Sequence, residues 1–198
     1  MRGAAEDPWM RQRYILGDAP WDTGRPSPEL VRVVEAGLLP GKTALEFGCG
    51  TGTNAIELAR HGYRVTAVDA VDVAIDRAQE KARRAGVTVD FQRGDLTQLN
   101  LGGPYDVLFD MGLYHMIRSG NLPGFLQTLK RTSRSGTRWL SLAGNARETN
   151  PNGPPTVEEE EIRTELGPLF KILDLHEFRL ELRPDFQPLF WSTLMERK

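Results

Sequence analysis

The strongest chemical signal in this chain is Leu45-Glu46-Phe47-Gly48-Cys49-Gly50-Thr51-Gly52. Glycine at alternate positions lets a backbone turn sharply and lets a ligand approach the main chain. A helix opening beyond it would offer free N–H groups. The dinucleotide fingerprint needs glycine at the first, third and sixth positions, and Thr53 stands sixth from Gly48. No Gly-Lys-Ser/Thr follows, so a phosphate loop is also excluded. Acids recur after later apolar runs: Asp69, Asp95 and Asp110. His115 lies just past the last of these, and of the three histidines it alone falls at that edge. Histidine titrates near neutral pH and can take a proton from a thiol or amine. The alternative is that His115 caps a helix or packs against a sheet. Cys49 reads as a small packed side chain, because no neighbouring His or Lys lowers its pKa.

These residues need elements to position them. Ser27-Pro28 opens a helix, with Ser27 as cap and Pro28 at the first helical position, and it ends near Gly37. Lys42 to Phe47 is a first strand, Thr53 to Arg60 a helix stopped by Gly62, and Arg64 to Asp69 a second strand. Val71, Ala74, Ile75, Ala78, Ala82 and Ala85 repeat at helical spacing, and Gly86 ends that helix. Strands follow at Val87 to Gln92, Tyr105 to Asp110 and Arg138 to Ala143, with a helix at Leu122 to Arg131. Such alternation implies a mostly parallel sheet with helices on both faces. The tail differs. Thr156-Val157-Glu158-Glu159 reads as a capping box. Phe170 to Leu182 and Phe190 to Arg197, joined by a short Pro-containing link, read as an antiparallel pair. One domain over 1–198 is expected, with 1–37 as a helical lid or cap segment and 38–198 as the core.

The form Glu-x-Gly-x-Gly-x-Gly, spanning Glu46 to Gly52, resembles motif I of class I S-adenosylmethionine-dependent methyltransferases. The resemblance covers about Thr43 to Ala143. It implies a Rossmann-like α/β fold with a seven-stranded, mostly parallel sheet and an antiparallel C-terminal hairpin. It implies S-adenosyl-L-methionine as cofactor, touched by Glu46, Gly48, Cys49 and Gly50. Asp69, followed by Ala70, would hold the ribose hydroxyls. Asp95 and Leu96 would lie at the adenine, and Asp110 and Met111 at the methyl-donor side. Glu46 either holds the turn or meets the amino acid end of the cofactor.

The segment Pro20-Trp21-Asp22-Thr23-Gly24-Arg25-Pro26 resembles the lead-in of small thiol and thiopurine S-methyltransferases, where an aromatic covers the cofactor. Trp21 would be that lid, with core packing as the alternative. Trp9 and Tyr14 would close the same pocket. Gly153-Pro154-Pro155-Thr156-Val157 is a second echo of that group, and tellurite-resistance methyltransferases share the compact layout. The implied reaction is methylation of a small nucleophile, foremost a thiol such as methanethiol or hydrogen sulfide; N- or O-methylation of a metabolite is the alternative, and a non-catalytic cofactor-binding protein the third reading. His115, Asp110 and Tyr14 would serve the reacting centre. Trp9, Tyr14, Tyr114, His115 and Arg147 would contact the substrate, with Asn145 and Asn150 in the same connection as Arg147.

Composition bounds the rest. A formal charge of −2 over 198 residues provides no global field for nucleic acid or anionic lipid. No apolar run approaches the roughly 20 residues of a membrane span. One cysteine forbids an internal disulfide. The first residues offer no apolar signal stretch. The expectation is a cytoplasmic monomer or homodimer with no nucleic acid or membrane partner and no metal. The run Glu158 to Glu161 complements a helix dipole instead.

Overall fold

The computed structural model describes residues 8–148, 153–183 and 186–198. Its elements in chain order are α1 (Pro8–Leu16), α2 (Pro28–Glu35), β1 (Thr43–Phe47), α3 (Thr53–Arg60), β2 (Arg64–Asp69), α4 (Asp72–Ala85) and β3 (Val89–Arg93). Then come β4 (Val107–Met111), α5 (Leu113–Thr132), β5 (Arg138–Gly144), α6 (Glu159–Leu166), β6 (Phe170–Arg179) and β7 (Leu189–Arg197). The strands form one seven-stranded sheet in the order β3-β2-β1-β4-β5-β7-β6. β1 to β5 are parallel, and β7 runs antiparallel to both β5 and β6. The order reverses between β1 and β4, the crevice where such sheets take ligands.

Each face of the sheet has its own core. On one, Leu30, Val33, Ala55, Leu58 and Ile75 from α2, α3 and α4 pack on Ala44, Val65, Val107 and Leu140. On the other, Ile117, Phe125 and Leu129 of α5 and Ile162 and Leu166 of α6 cover Leu45, Leu108 and Trp139. Trp139 anchors that side, with Phe170 at 5.2 Å and Phe125 at 5.9 Å between ring centroids.

Several boundaries differ from those read off the sequence. Ser27 precedes α2 but makes no side-chain cap bond. Gly86 does stop α4 in a left-handed conformation, and Val87 N–H then closes onto the Ala82 carbonyl, so β3 starts two residues late. The capping box of α6 is Glu158 with Glu161, not Thr156 with Glu159. The largest difference is α5. It begins at Leu113, straight after left-handed Gly112, and breaks at Asn121, where φ is −150°. The Asn121 side chain accepts the Gly124 N–H at 3.0 Å and so caps the second half. Gly120, Asn121 and Pro123 hide the first half from any periodicity count.

Candidate active site

The glycine turn sits at the carboxyl end of β1, inside the switch in strand order. Gly50 and Gly52 have φ of 53° and 75°, a region costly for any other residue. A Cβ on Gly52 would lie 2.7 Å from Phe91 and 2.8 Å from Ala78, so the turn could not pack against β3 and α4 with a larger residue. Asp69, at the end of β2, ties the turn down. Its carboxylate accepts Gly50 N–H at 2.8 Å and Val71 N–H at 2.9 Å. Burial raises its pKa, and those backbone donors partly offset the rise. Beneath the turn lies Glu46, 1% exposed. Its Oε2 has no hydrogen-bond partner, and burial pushes its pKa up to about 8 against hydrogen bonds from Asn54 and Ala55. Asp95 follows β3, and one of its carboxylate oxygens is held by Thr97 N–H at 2.8 Å and Thr97 O–H at 2.7 Å. Leu96 is buried in the α5 side core.

The lead-in folds over this turn. A Cβ on Gly50 would stand 2.7 Å from the Tyr14 hydroxyl, so the ring of α1 rests directly above the bend. Trp21 donates its indole N–H to that hydroxyl at 2.8 Å and meets the ring edge-on at 5.9 Å. Trp9, 53% exposed, packs against Trp21 with its ring tilted, 5.5 Å between centroids. Burial and the Asp69 charge keep the Tyr14 phenol well above its ordinary pKa. Two polar clasps hold the segment. Arg11 pairs with Asp72 through two bonds of 2.9 and 3.0 Å. Thr51 donates its hydroxyl to Asp22 at 2.7 Å and accepts Lys81 at 2.6 Å. Lys81 also reaches Thr53 at 2.8 Å.

Past β4 several of the candidate residues already have partners within the protein. Asp110 turns into the core. It is 0% exposed, accepts Tyr114 N–H at 2.9 Å and the Trp139 indole N–H at 3.1 Å, and is raised to about 6 by burial. It caps α5 and anchors the core. Tyr114 is likewise a core residue, its hydroxyl donating to Glu165 at 2.7 Å. His115 is 3% exposed, and its Nδ1 accepts Gly144 N–H at 2.8 Å. That assigns the proton to Nε2 in the neutral ring. Burial lowers its pKa to about 4. A ring whose free lone pair is already taken, and which resists charging, is a poor general base. Arg147 pairs with Glu177 at 2.9 Å and lies over the Trp191 ring. Asn145 is buried and serves that same loop, donating to Glu177 and accepting Arg147 N–H. Asn150 lies outside the described residues.

One small cleft opens beside Met111, with about 80 Å³ of space. Its other walls are Thr23, Arg25 to Pro28 and Leu180 to Leu182. Sequence reasoning named Met111 but not Ser27 or the hairpin residues. No pattern marks Leu180 to Leu182, because only the antiparallel return of β7 carries that connection to the ligand edge.

An adenosyl sulfonium with ribose hydroxyls and an ammonium presents donors and positive charge. The half-buried Asp69 carboxylate at the end of β2 and the unpaired oxygen of buried Glu46 in β1 are matching acceptors. Comparison with known proteins agrees. Residues 44–136 match a family described as a methyltransferase domain. The chain is 28% identical over 170 residues to a 2-heptyl-1-hydroxyquinolin-4(1H)-one methyltransferase of Mycobacteroides abscessus, covering 84% of this chain and 74% of that one. It is 26% identical over 174 residues to a probable thiol methyltransferase of Arabidopsis thaliana, covering 86% and 77%. Among solved structures, one described as converting a disulfide bond into a thioacetal group during echinomycin biosynthesis shares the fold. Its TM-score is 0.79 at 24% identity, covering 94% of this chain and 89% of that one. With the seven-stranded sheet and its closing hairpin, the chain has the class I Rossmann-like fold, and its residues 44–136 are similar to the S-adenosylmethionine-dependent methyltransferases.

Proposed function

We propose that this chain methylates a small acceptor, foremost a thiol such as methanethiol or hydrogen sulfide. The observation that carries the reading is the size of the cleft beside Met111. With about 80 Å³ of free space it is a compact site, suited to an acceptor of few heavy atoms. S-adenosylmethionine supplies an activated methyl: the sulfonium S–CH3 bond breaks as the acceptor sulfur–CH3 bond forms, leaving S-adenosylhomocysteine and a thioether. The reactive acceptor is the thiolate, so no proton remains to be removed at the transfer step. That suits a site in which His115 is neutral and proton-bearing at Nε2. The protein's work is alignment and exclusion of water.

In this reading Asp69 takes the ribose hydroxyls, with Ala70 beside it, and Asp95 lies at the adenine. Glu46 receives the ammonium end. Gly48 and Gly50 leave room for the ligand, and Met111 lines the methyl-donor side. Trp21 and Tyr14, backed by Trp9, form a lid from residues 1–37 over the core of 38–198; opening it breaks the Tyr14 contact with Gly50 and makes way for the cofactor. His115 offers an N–H, not a base. The thiol methyltransferase relative supports a sulfur acceptor. The relative named for a hydroxyquinolone favours a second reading, a bicyclic acceptor that would need a wider cleft.

The test is an acceptor panel of methanethiol, hydrosulfide, a simple amine and a hydroxyquinolone, with S-adenosylhomocysteine and volatile thioethers quantified. Equimolar dimethyl sulfide and S-adenosylhomocysteine from methanethiol are expected. Turnover of the quinolone or amine alone would overturn the thiol assignment.

A further inference from the structure

Ser27 precedes α2, where a serine normally turns its oxygen onto the N–H groups of the first helical turn. Here it does not. Its carbonyl accepts Val31 N–H at 3.1 Å, but its hydroxyl has no partner, although the residue is only 3% exposed. A buried hydroxyl without a partner is costly and calls for an explanation. The backbone at Ser27 is rigidly placed. Its N–H donates to Asn54 at 2.8 Å, and the Asn54 side chain in turn hydrogen-bonds Glu46 under the glycine turn. Ser27 is thus indexed to the cofactor end of the site through two side chains.

Ser27 also lines the cleft at Met111. The neighbouring walls are apolar: Pro26, Pro28, Leu180 and Leu182. Arg25 and Glu181 bring opposite charges to the same cleft, so neither sign dominates there. One rotatable bond lets a serine hydroxyl swing toward whatever occupies such a space. Resting on the methyltransferase reading above, we infer that Ser27 recognises the acceptor. Its O–H donates to the nucleophilic sulfur of a compact thiolate whose carbon body lies against Pro26, Pro28 and Met111. Ser27 is then the specificity-determining residue, favouring a small deprotonated acceptor over a neutral amine, which has no spare charge for the hydroxyl to stabilise.

The experiment compares wild type with Ser27→Ala. Hydrosulfide and methanethiol are titrated by calorimetry at pH 9 into protein saturated with S-adenosylhomocysteine, and steady-state rates are measured in parallel. Thiol affinity is expected to fall about 5- to 10-fold and KM to rise alike. S-adenosylhomocysteine affinity stays put, and the melting temperature is unchanged or higher, since an unpaired hydroxyl has been removed. Thiol affinity and KM equal to wild type would overturn the Ser27 assignment alone. Loss of S-adenosylhomocysteine affinity in step with thiol affinity would reduce Ser27 to a structural role and also overturn it. If wild type binds S-adenosylhomocysteine but neither binds nor methylates any thiol, the thiol reading falls, and this inference with it.

Discussion

Glu46→Gln tests the electrostatics of the ligand-free site. Glu46 ionises near 4.5 when exposed, but burial raises it to about 8 in the folded chain. The folded protein therefore holds a proton that the unfolded chain has released between those two pH values. Stability from this group is fully present below 4.5 and is lost as pH rises toward 8. Each pH unit inside the window costs about 1.4 kcal/mol. Between pH 5 and pH 7 the loss amounts to roughly 2–3 kcal/mol once partial ionisation near pH 5 is included. Glutamine is neutral throughout and keeps the acceptor for Asn54. Urea unfolding of both proteins without ligand, at pH 5, 6, 7 and 8, should show the variant gaining on wild type by that amount from pH 5 to 7. Asp69 and Asp110 are also raised by burial, but they are present in both proteins and cancel in the difference. A variant-minus-wild-type difference that stays flat across pH would refute the claim that Glu46 is protonated in the folded chain.

Two further outcomes follow from the site. Asp110→Ala leaves the Trp139 indole N–H and the Tyr114 N–H buried without acceptors, so chemical denaturation should show a loss of about 2–4 kcal/mol. S-adenosylhomocysteine affinity of the folded fraction, read by calorimetry, should change little, because that carboxylate faces the core; a large affinity loss at unchanged stability would return Asp110 to the ligand edge. With methanethiol as acceptor, the rate of methylation below saturation should rise with pH along the acceptor's own ionisation, well above neutrality, with no inflection near 6.5, because burial holds His115 down to about 4. An inflection between pH 6 and 7 that disappears in His115→Asn would restore His115 as the base.

Much of the fold could be read from the chain alone, and the reason is local. β2 and α3 fall on Arg64–Asp69 and Thr53–Arg60, as apolar period and flanking glycines indicate. The alternation of strand and helix implies the parallel sheet, and two adjacent late strands imply the hairpin. The first half of α5 escaped because its signals are tertiary. Gly112 starts it, Asn121 and Pro123 interrupt it, and its buried residues Tyr114, His115 and Ile117 gain their helical state by packing on β4 and β5.

The resemblance carried by Glu46 to Gly52 and by Asp69 was sufficient to name a ligand class. That the Asp69 carboxylate holds the Gly50 N–H at 2.8 Å is a fact of the tertiary structure. Side-chain direction is another matter. Whether Asp110 turns to the crevice or the core depends on which face of β4 it occupies and on Trp139, a neighbour 29 residues away. Whether His115 has a lone pair to spend depends on Gly144, at the end of β5. The cleft at Ser27 exists only because β7 runs back antiparallel and delivers Leu180 to Leu182 to the far end of the sheet. Chemistry by residue type is written along the chain; burial, partner and proton are set by long-range contacts that folding alone creates.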